Sequence, residues 1–262
     1  MGCIRPDVTG VVLKGKRGRI LTCLNLAAGE GPHPVVLALH GIPGNEQNGD
    51  LIHELQDMGM DVVSFHYSGC LGSDGSYRLK NNLEDTNTVL DFILHDTEYG
   101  FDTSRIYVVG HSLGGFHAAC LAATRSELRA FVLAAPCNVG EYEFYRQENP
   151  RYFSTLQDIL VSSVPFLQDV TLADFEQELL AWGDRYRFRT IAPKLARLPA
   201  LLVTGTLDTA CPGPDCCPDL IRGIREAGGT QLQLAELPAD HSFLQARRQF
   251  LDLVENFLQQ QN

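Results

Sequence analysis

The sequence predicts one α/β domain on a mostly parallel sheet, with helices on both faces and a single helical insertion. Three observations predict it. Short β-rich runs alternate with longer stretches of helical periodicity, the pattern of strands joined by crossover helices. Runs such as Val35–Leu39 are wholly apolar, as strands buried on both faces of a parallel sheet are. The alternation stops from Pro136 to Leu198 and resumes afterwards.

Taken in order, Val8–Leu13 and Arg19–Asn25 read as a hairpin turning through Gly15–Gly18. Val35–Leu39 is a central strand, Asn48–Met58 a helix stopped by Gly59, and Asp61–Phe65 the next strand. Leu79–His95 places Leu83, Val89, Leu90, Ile93 and Leu94 on one helical face. Arg105–Val109 is a strand, Leu113–Thr124 a small-residue helix suited to close packing, and Ala130–Ala135 another strand. The insertion is rich in aromatic residues and broken by Pro150 and Pro165; Ala200–Thr204, Pro218–Ala227, Gln231–Leu237 and Phe243–Leu258 then close the pattern as strand, helix, strand and helix. The expected organisation is a core of residues 1–135 and 199–262 with a helical cap at 136–198, following the sixth strand.

Composition bounds the function. With 262 residues, 44% hydrophobic and 20% charged, the chain can bury one large core. A net charge of −11 argues against nucleic acid, since nothing neutralises phosphates, and against a polybasic membrane anchor. No apolar run approaches the ~18–20 residues of a spanning helix. Met1–Pro6 lacks the apolar core of a secretory signal, and Pro6 stands where N-myristoylation at Gly2 asks for Ser or Thr. A cytoplasmic protein is expected. Of eight cysteines, Cys3, Cys23, Cys70, Cys120 and Cys137 are scattered, and Cys211, Cys216 and Cys217 cluster in CPGPDCCPD without the CxxC pairs or spaced histidines of a zinc site. They are read as reduced thiols, with no metal and no cofactor.

The strongest local signal is Gly110-His111-Ser112-Leu113-Gly114-Gly115, which follows an apolar strand and opens a helix. G-x-S-x-G in that setting is a nucleophile elbow, a sharp turn that lifts a serine oxygen above the sheet. Glycines at 110 and 114 let strand and helix approach, and the helix N-terminus offers unpaired N–H groups and partial positive charge. A serine hydroxyl is a weak nucleophile until a base removes its proton, and an imidazole base needs a partner to fix its tautomer.

With these motifs the chain resembles the α/β-hydrolases over nearly its whole length, most closely small serine esterases and the catalytic domains of serine aminopeptidases and prolyl-oligopeptidase-like enzymes. HGIPG at His40–Gly44, FHYSGCLGSDGSY at Phe65–Tyr77, GHSLGG at Gly110–Gly115, TGTLDTACP at Thr204–Pro212 and ADHSF at Ala239–Phe243 carry the resemblance. It implies Ser112 as nucleophile, Asp208 as the orienting acid and His241 as the base, in the family's chain order. Asp215 and Glu141 are rival acids. The resemblance also implies an oxyanion hole from the backbone N–H groups of Ile42 and Leu113; Pro43 has no N–H to offer. Ser68 stands where many relatives carry arginine, and Asp74 and Gly75 read as loop structure.

The implied activity is hydrolysis of small to medium uncharged carboxylic esters through an acyl-enzyme, with the cap supplying apolar walls or merely packing as an extra layer. Serine peptidase or amidase action is the alternative, with Glu141, Glu143 or Glu148 holding a substrate amino group. A non-catalytic binding protein is the third reading, though no triad member is missing. Serine at the elbow, rather than Asp or Cys, disfavours dehalogenase and dienelactone hydrolase chemistry.

Overall fold

The computed structural model describes residues 5–262, so Gly2 and Cys3 lie outside the described residues. Eight strands form one sheet in the order β1-β2-β4-β3-β5-β6-β7-β8. Strands β1 (Asp7–Gly15) and β2 (Gly18–Leu26) form the expected hairpin, and β2 pairs antiparallel with β4 (Asp61–Phe65). From there the ladder is parallel, through β3 (Pro34–Leu39), β5 (Asp102–His111), β6 (Leu128–Ala134), β7 (Ala200–Gly205) and β8 (Leu232–Leu237). The apolar runs of β3, β5 and β6 are buried on both faces, which explains why they lack a polar alternation.

Helices cover both faces. One core cluster unites Val36, Val62, Val109 and Val203 with Leu51 and Leu55 of α1 (Gly49–Asp57) and Phe250, Val254 and Phe257 of α10 (Arg247–Gln259). The other packs Val35, Leu37, Val108 and Phe131 under α2 (Leu79–His95) and α3 (Leu113–Ala122). Gly59 takes φ 86° just past α1, the left-handed stop that its sequence predicted. Among the described residues no helix is long and apolar enough to cross a membrane.

Between β6 and β7 lie α4 (Tyr142–Glu148), α5 (Pro150–Ser163), α6 (Leu172–Trp182) and α7 (Phe188–Leu195). Asn149 caps α5 by accepting from Tyr152 N, and Thr171 with Asp174 forms a capping box on α6. Helix α7 buries Phe188, Ile191, Ala192 and Leu195 against α3 and α9 (Pro218–Glu226), so it belongs to the layer on the sheet. The remaining three helices are tied to the Gly69–Tyr77 loop: Gln168 N donates to Gly69 O at 2.9 Å and Tyr77 N to Gln168 O at 2.9 Å. Glu178 on α6 also accepts from Leu79 N and Lys80 N, satisfying the open N-terminus of α2.

Candidate active site

Ser112 sits between β5 and α3 with φ 58° and ψ −123°, a conformation that costs a non-glycine residue on the order of 1–3 kcal/mol. Its surroundings hold it there. Its own N–H donates to Ala134 O, and its carbonyl accepts from Gly115, Phe116 and Cys137 N–H. A Cβ at Gly114 would fall on the carbonyls of Leu39 and His40, so only glycine lets α3 start this close to β3. The elbow expected from the sequence is present, and tertiary contacts fix its strained backbone.

The loop after β3 lies against this serine. A Cβ on Gly41 would come within 2.8 Å of Ser112 Cβ and 3.2 Å of its Oγ. The N–H groups of Ile42 and Leu113 donate to no acceptor among the described residues, so both stay available for negative charge. His40 donates from Nδ1 to Gly41 O at 2.7 Å, and Tyr67 donates its hydroxyl to His40 O at 3.3 Å; both contacts brace the loop.

Asp208 and His241 meet. Asp208 Oδ2 accepts from His241 Nδ1 at 2.8 Å, with the carboxylate side chain fully buried and the imidazole partly exposed. Asp208 Oδ1 accepts from Ala210 N at 2.8 Å and Cys211 N at 2.9 Å. Burial pushes this carboxyl up, but the hydrogen bond and charge of His241 with the two amides outweigh it and hold it below its ordinary value. Neither rival acid reaches the imidazole. Asp215 accepts from Asn149 Nδ2 at 2.6 Å, and buried Glu141 takes Arg189 at 3.0 Å and Arg187 at 3.5 Å.

A residue given no role by the sequence connects the His241 loop to the turn that bears Ser112. A carbonyl can only accept, so His111 Nε2 carries the proton that bonds His241 O at 2.8 Å, and the two rings lie 4.8 Å apart. Burial holds the His111 imidazole down to about 4, so it is neutral near pH 7. Since His111 directly precedes Ser112, this bond draws the His241 loop onto the elbow. Neither Ser112 Oγ nor His241 Nε2 makes a hydrogen bond among the described residues; such contacts are often long until a substrate closes them. Nothing local marks His111 for this role, because its partner lies 130 residues away.

The cysteine cluster is packing around this site. Cys137 N donates to Ser112 O, Cys211 N to Asp208, and Cys216 Sγ to Tyr152 Oη at 3.0 Å. Cys137, Cys211, Cys216 and Cys217 are buried free thiols, and burial pushes the Cys211 thiol well up. Asp74 is structural, as expected: its carboxylate takes Arg19, which lowers it to about 2. A cavity of about 660 Å³ lies between α9 and β8, but Ser112, Asp208 and His241 do not line it. The side-chain geometry, not cavity size, locates the site.

What this arrangement can do is bounded by its groups. It offers an imidazole whose Nδ1–H is fixed by a carboxylate, a hydroxyl on a strained turn, and two open amides beside it.

The comparisons agree with the fold. The family model described as the alpha/beta hydrolase fold matches residues 34–215. A multifunctional-autoprocessing repeats-in-toxin protein of Vibrio vulnificus is 33% identical over 121 residues, 43% of this chain. The chain spans only 2–3% of the length of the curated relatives it matches. Est1E of Butyrivibrio proteoclasticus, solved with ferulic acid bound, has a TM-score of 0.72 at 17% identity, covering 96% of this chain and 98% of that one. The Pyrococcus horikoshii acylaminoacyl peptidase has a TM-score of 0.72 at 15% identity, covering 97% of this chain and 41% of that one. Matched over more than half its length, with the mostly parallel sheet that its sequence predicts, the chain belongs to the alpha/beta hydrolase family.

Proposed function

We propose that this protein hydrolyses carboxylic esters of small to medium uncharged substrates through an acyl-enzyme. The observation that carries the reading is the pair of buried Asp208 and half-buried His241, 2.8 Å apart, whose loop is bonded to the turn that holds Ser112 at positive φ. Asp208 keeps the proton on His241 Nδ1, which leaves Nε2 as the ring's open acceptor. As Ser112 Oγ attacks the ester carbonyl, Nε2 takes its proton. The oxyanion forms where the N–H groups of Ile42 and Leu113 are open, each contributing ~3 kcal/mol to the transition state. The imidazolium then protonates the departing alcohol. Water repeats the sequence on the acyl-enzyme and releases the acid, regenerating Ser112.

Helices α4–α6, the part of the 136–198 segment that stands off the sheet layer, act as the cap over the substrate, supplying its apolar walls. The same residues serve peptidase chemistry, and the acylaminoacyl peptidase shares the fold. Against an exopeptidase site, Glu141 is taken by two arginines, and Glu143 by Arg146 at 2.7 Å and Gln147 at 2.8 Å. Glu148 is left as the carboxylate for a substrate amino group, and it lines a cavity beside Asn138 and Phe144.

Turnover of p-nitrophenyl butyrate by wild type and Ser112→Ala tests the reading. We expect a loss of ~10⁵–10⁶-fold in kcat, and no labelling of the variant by a fluorophosphonate probe. Equal turnover by both proteins refutes the assignment. Matched aminoacyl amides, cleaved as fast as the esters, would instead identify a peptidase.

A further inference from the structure

Another cavity, of about 300 Å³, lies between α2, α3 and α7. Its buried lining mixes apolar Leu121, Ile191 and Cys120 with polar Thr86 and His117, and the rim of its mouth carries exposed Arg185 and Lys194 with half-buried Tyr186. In a chain of net charge −11, no carboxylate lines this cavity. Among the described residues neither Arg185 nor Lys194 makes an ion pair. Two acids that line the adjoining cavity with Arg185 are engaged elsewhere: Glu84 with Arg17 at 2.7 Å and Lys16 at 3.8 Å, and Asp91 with Arg125 at 2.7 Å. Two cations with no carboxylate partner, over a lining of mixed apolar and hydrogen-bonding side chains, fit an organic anion whose uncharged body carries a polar group.

One interior group speaks to the rest of the ligand. His117 is fully buried and lines the cavity. Tyr67 Oη spends its proton on His40 O, so the 3.3 Å contact between His117 Nδ1 and Tyr67 Oη needs the proton on Nδ1. That leaves Nε2 as a bare acceptor, and it has no partner. Burial keeps this imidazole at about 3, so it does not become a cation that competes with the mouth. An unpaired acceptor in the interior costs roughly 1–3 kcal/mol, which a ligand hydroxyl would recover.

We propose that this cavity binds a small aromatic hydroxycarboxylate, its carboxylate held by Arg185 and Lys194 and its ring hydroxyl turned toward His117. The site is separate from Ser112, and the proposal does not rest on the ester-hydrolase reading. Its reporter is built in. Trp182, the single tryptophan of the chain, stacks on Phe116 at 5.8 Å and meets Tyr186 edge-on at 4.6 Å. Tyr186 lines the cavity, and Trp182 lines the adjoining cavity of about 560 Å³.

The test is calorimetric titration of the full chain with 4-hydroxybenzoate, read in parallel by Trp182 fluorescence. Saturable binding is expected, with a matching fluorescence change. The surface double variant Arg185→Glu/Lys194→Glu is expected to weaken it at least ~10-fold, the scale of losing two partly screened charge contacts. Neutral 4-hydroxybenzamide should bind at least ~10-fold more weakly on the same grounds. Absence of saturable binding overturns the proposal. So does equal affinity in the double variant, equal affinity for the amide, or displacement of 4-hydroxybenzoate by equimolar inorganic phosphate, which would mark a bare anion site. Thermal melts of the double variant confirm that charge reversal has left the fold intact.

Discussion

Replacing Asp208 by asparagine changes one atom in a buried side chain and tests the orienting role directly. The carboxylate accepts three hydrogen bonds, from Ala210 N, Cys211 N and His241 Nδ1. In the Asp208→Asn variant the two fixed backbone donors can face only the remaining oxygen, because turning the NH₂ toward them would oppose donors to donors. The NH₂ therefore faces His241 Nδ1, which must accept, and the imidazole proton moves to Nε2. Nε2 then points a proton at Ser112 and cannot take one away. The expected loss in kcat is ~10⁴-fold, equivalent to about 5 kcal/mol of transition-state stabilisation. Steady-state hydrolysis of p-nitrophenyl butyrate measures it, with a thermal melt to show that the loop still folds. Asp215→Asn serves as the control, since Asp215 bonds Asn149 and not the base; it should retain kcat within a few-fold. If Asp208→Asn keeps kcat within ~10-fold of wild type, or if Asp215→Asn loses as much, the acid has been misassigned.

Two further outcomes follow from packing and burial. Gly114→Ala drives a methyl group into the Leu39 carbonyl, so α3 must shift; we expect a cost of about 3 kcal/mol or more in urea unfolding with loss of turnover, whereas Gly49→Ala, which meets nothing within 4 Å, should be near neutral. A stable, active Gly114→Ala protein would contradict the close approach of β3 and α3. His40 and His111, both buried and held at about 4, bind protons more weakly folded than unfolded. Their contribution is therefore fully present above about pH 6.5 and is lost as pH falls toward 4, with about 2 kcal/mol forfeited for each by pH 5. Urea midpoints measured from pH 7.5 to 4.5 check this, and a flat profile over that range would refute it.

Much of this was legible in the sequence because the informative signals are local. The elbow needs only a strand, a serine between glycines and a helix, and all three are contiguous. Buried strands betray themselves by unbroken apolar runs, and Gly59 marks its own helix end. Other features depend on contacts that no window contains. The last helix begins at Arg247 rather than Phe243, since Phe243 takes φ 59° to stack its ring on Phe250 at 4.5 Å, and Asp240 Oδ1 accepts from Leu244 N. The short helix α8 (Gly213–Cys216) lies between prolines and is too brief to show a period. Glu141 is a plausible acid by position, and only Arg187 and Arg189, 46 and 48 residues onward, remove it from consideration.

Convergence of the distant side chains is a property of the sheet before it is one of the residues. In a parallel sheet every strand ends on the same edge, so the loops bearing Gly41 after β3, Ser112 after β5, Asp208 after β7 and His241 after β8 share one rim. The register keeps those ends level: Leu39 pairs with Gly110, His111 with Ala134, Ala134 with Val203, and Gly205 with Leu237. Topology alone still leaves β8 three strands from β5, or ~14 Å at the usual spacing. The His241 loop must lean back across that gap. Thr206 N donates to Leu237 O, Leu207 N to Ala239 O, and His111 pulls the His241 carbonyl from the far side. Periodicity marks the strands along the chain, but it cannot show this reach, because the reach rests on long-range bonds such as the one from the His111 imidazole, which adjoins Ser112, to a carbonyl beyond the last strand.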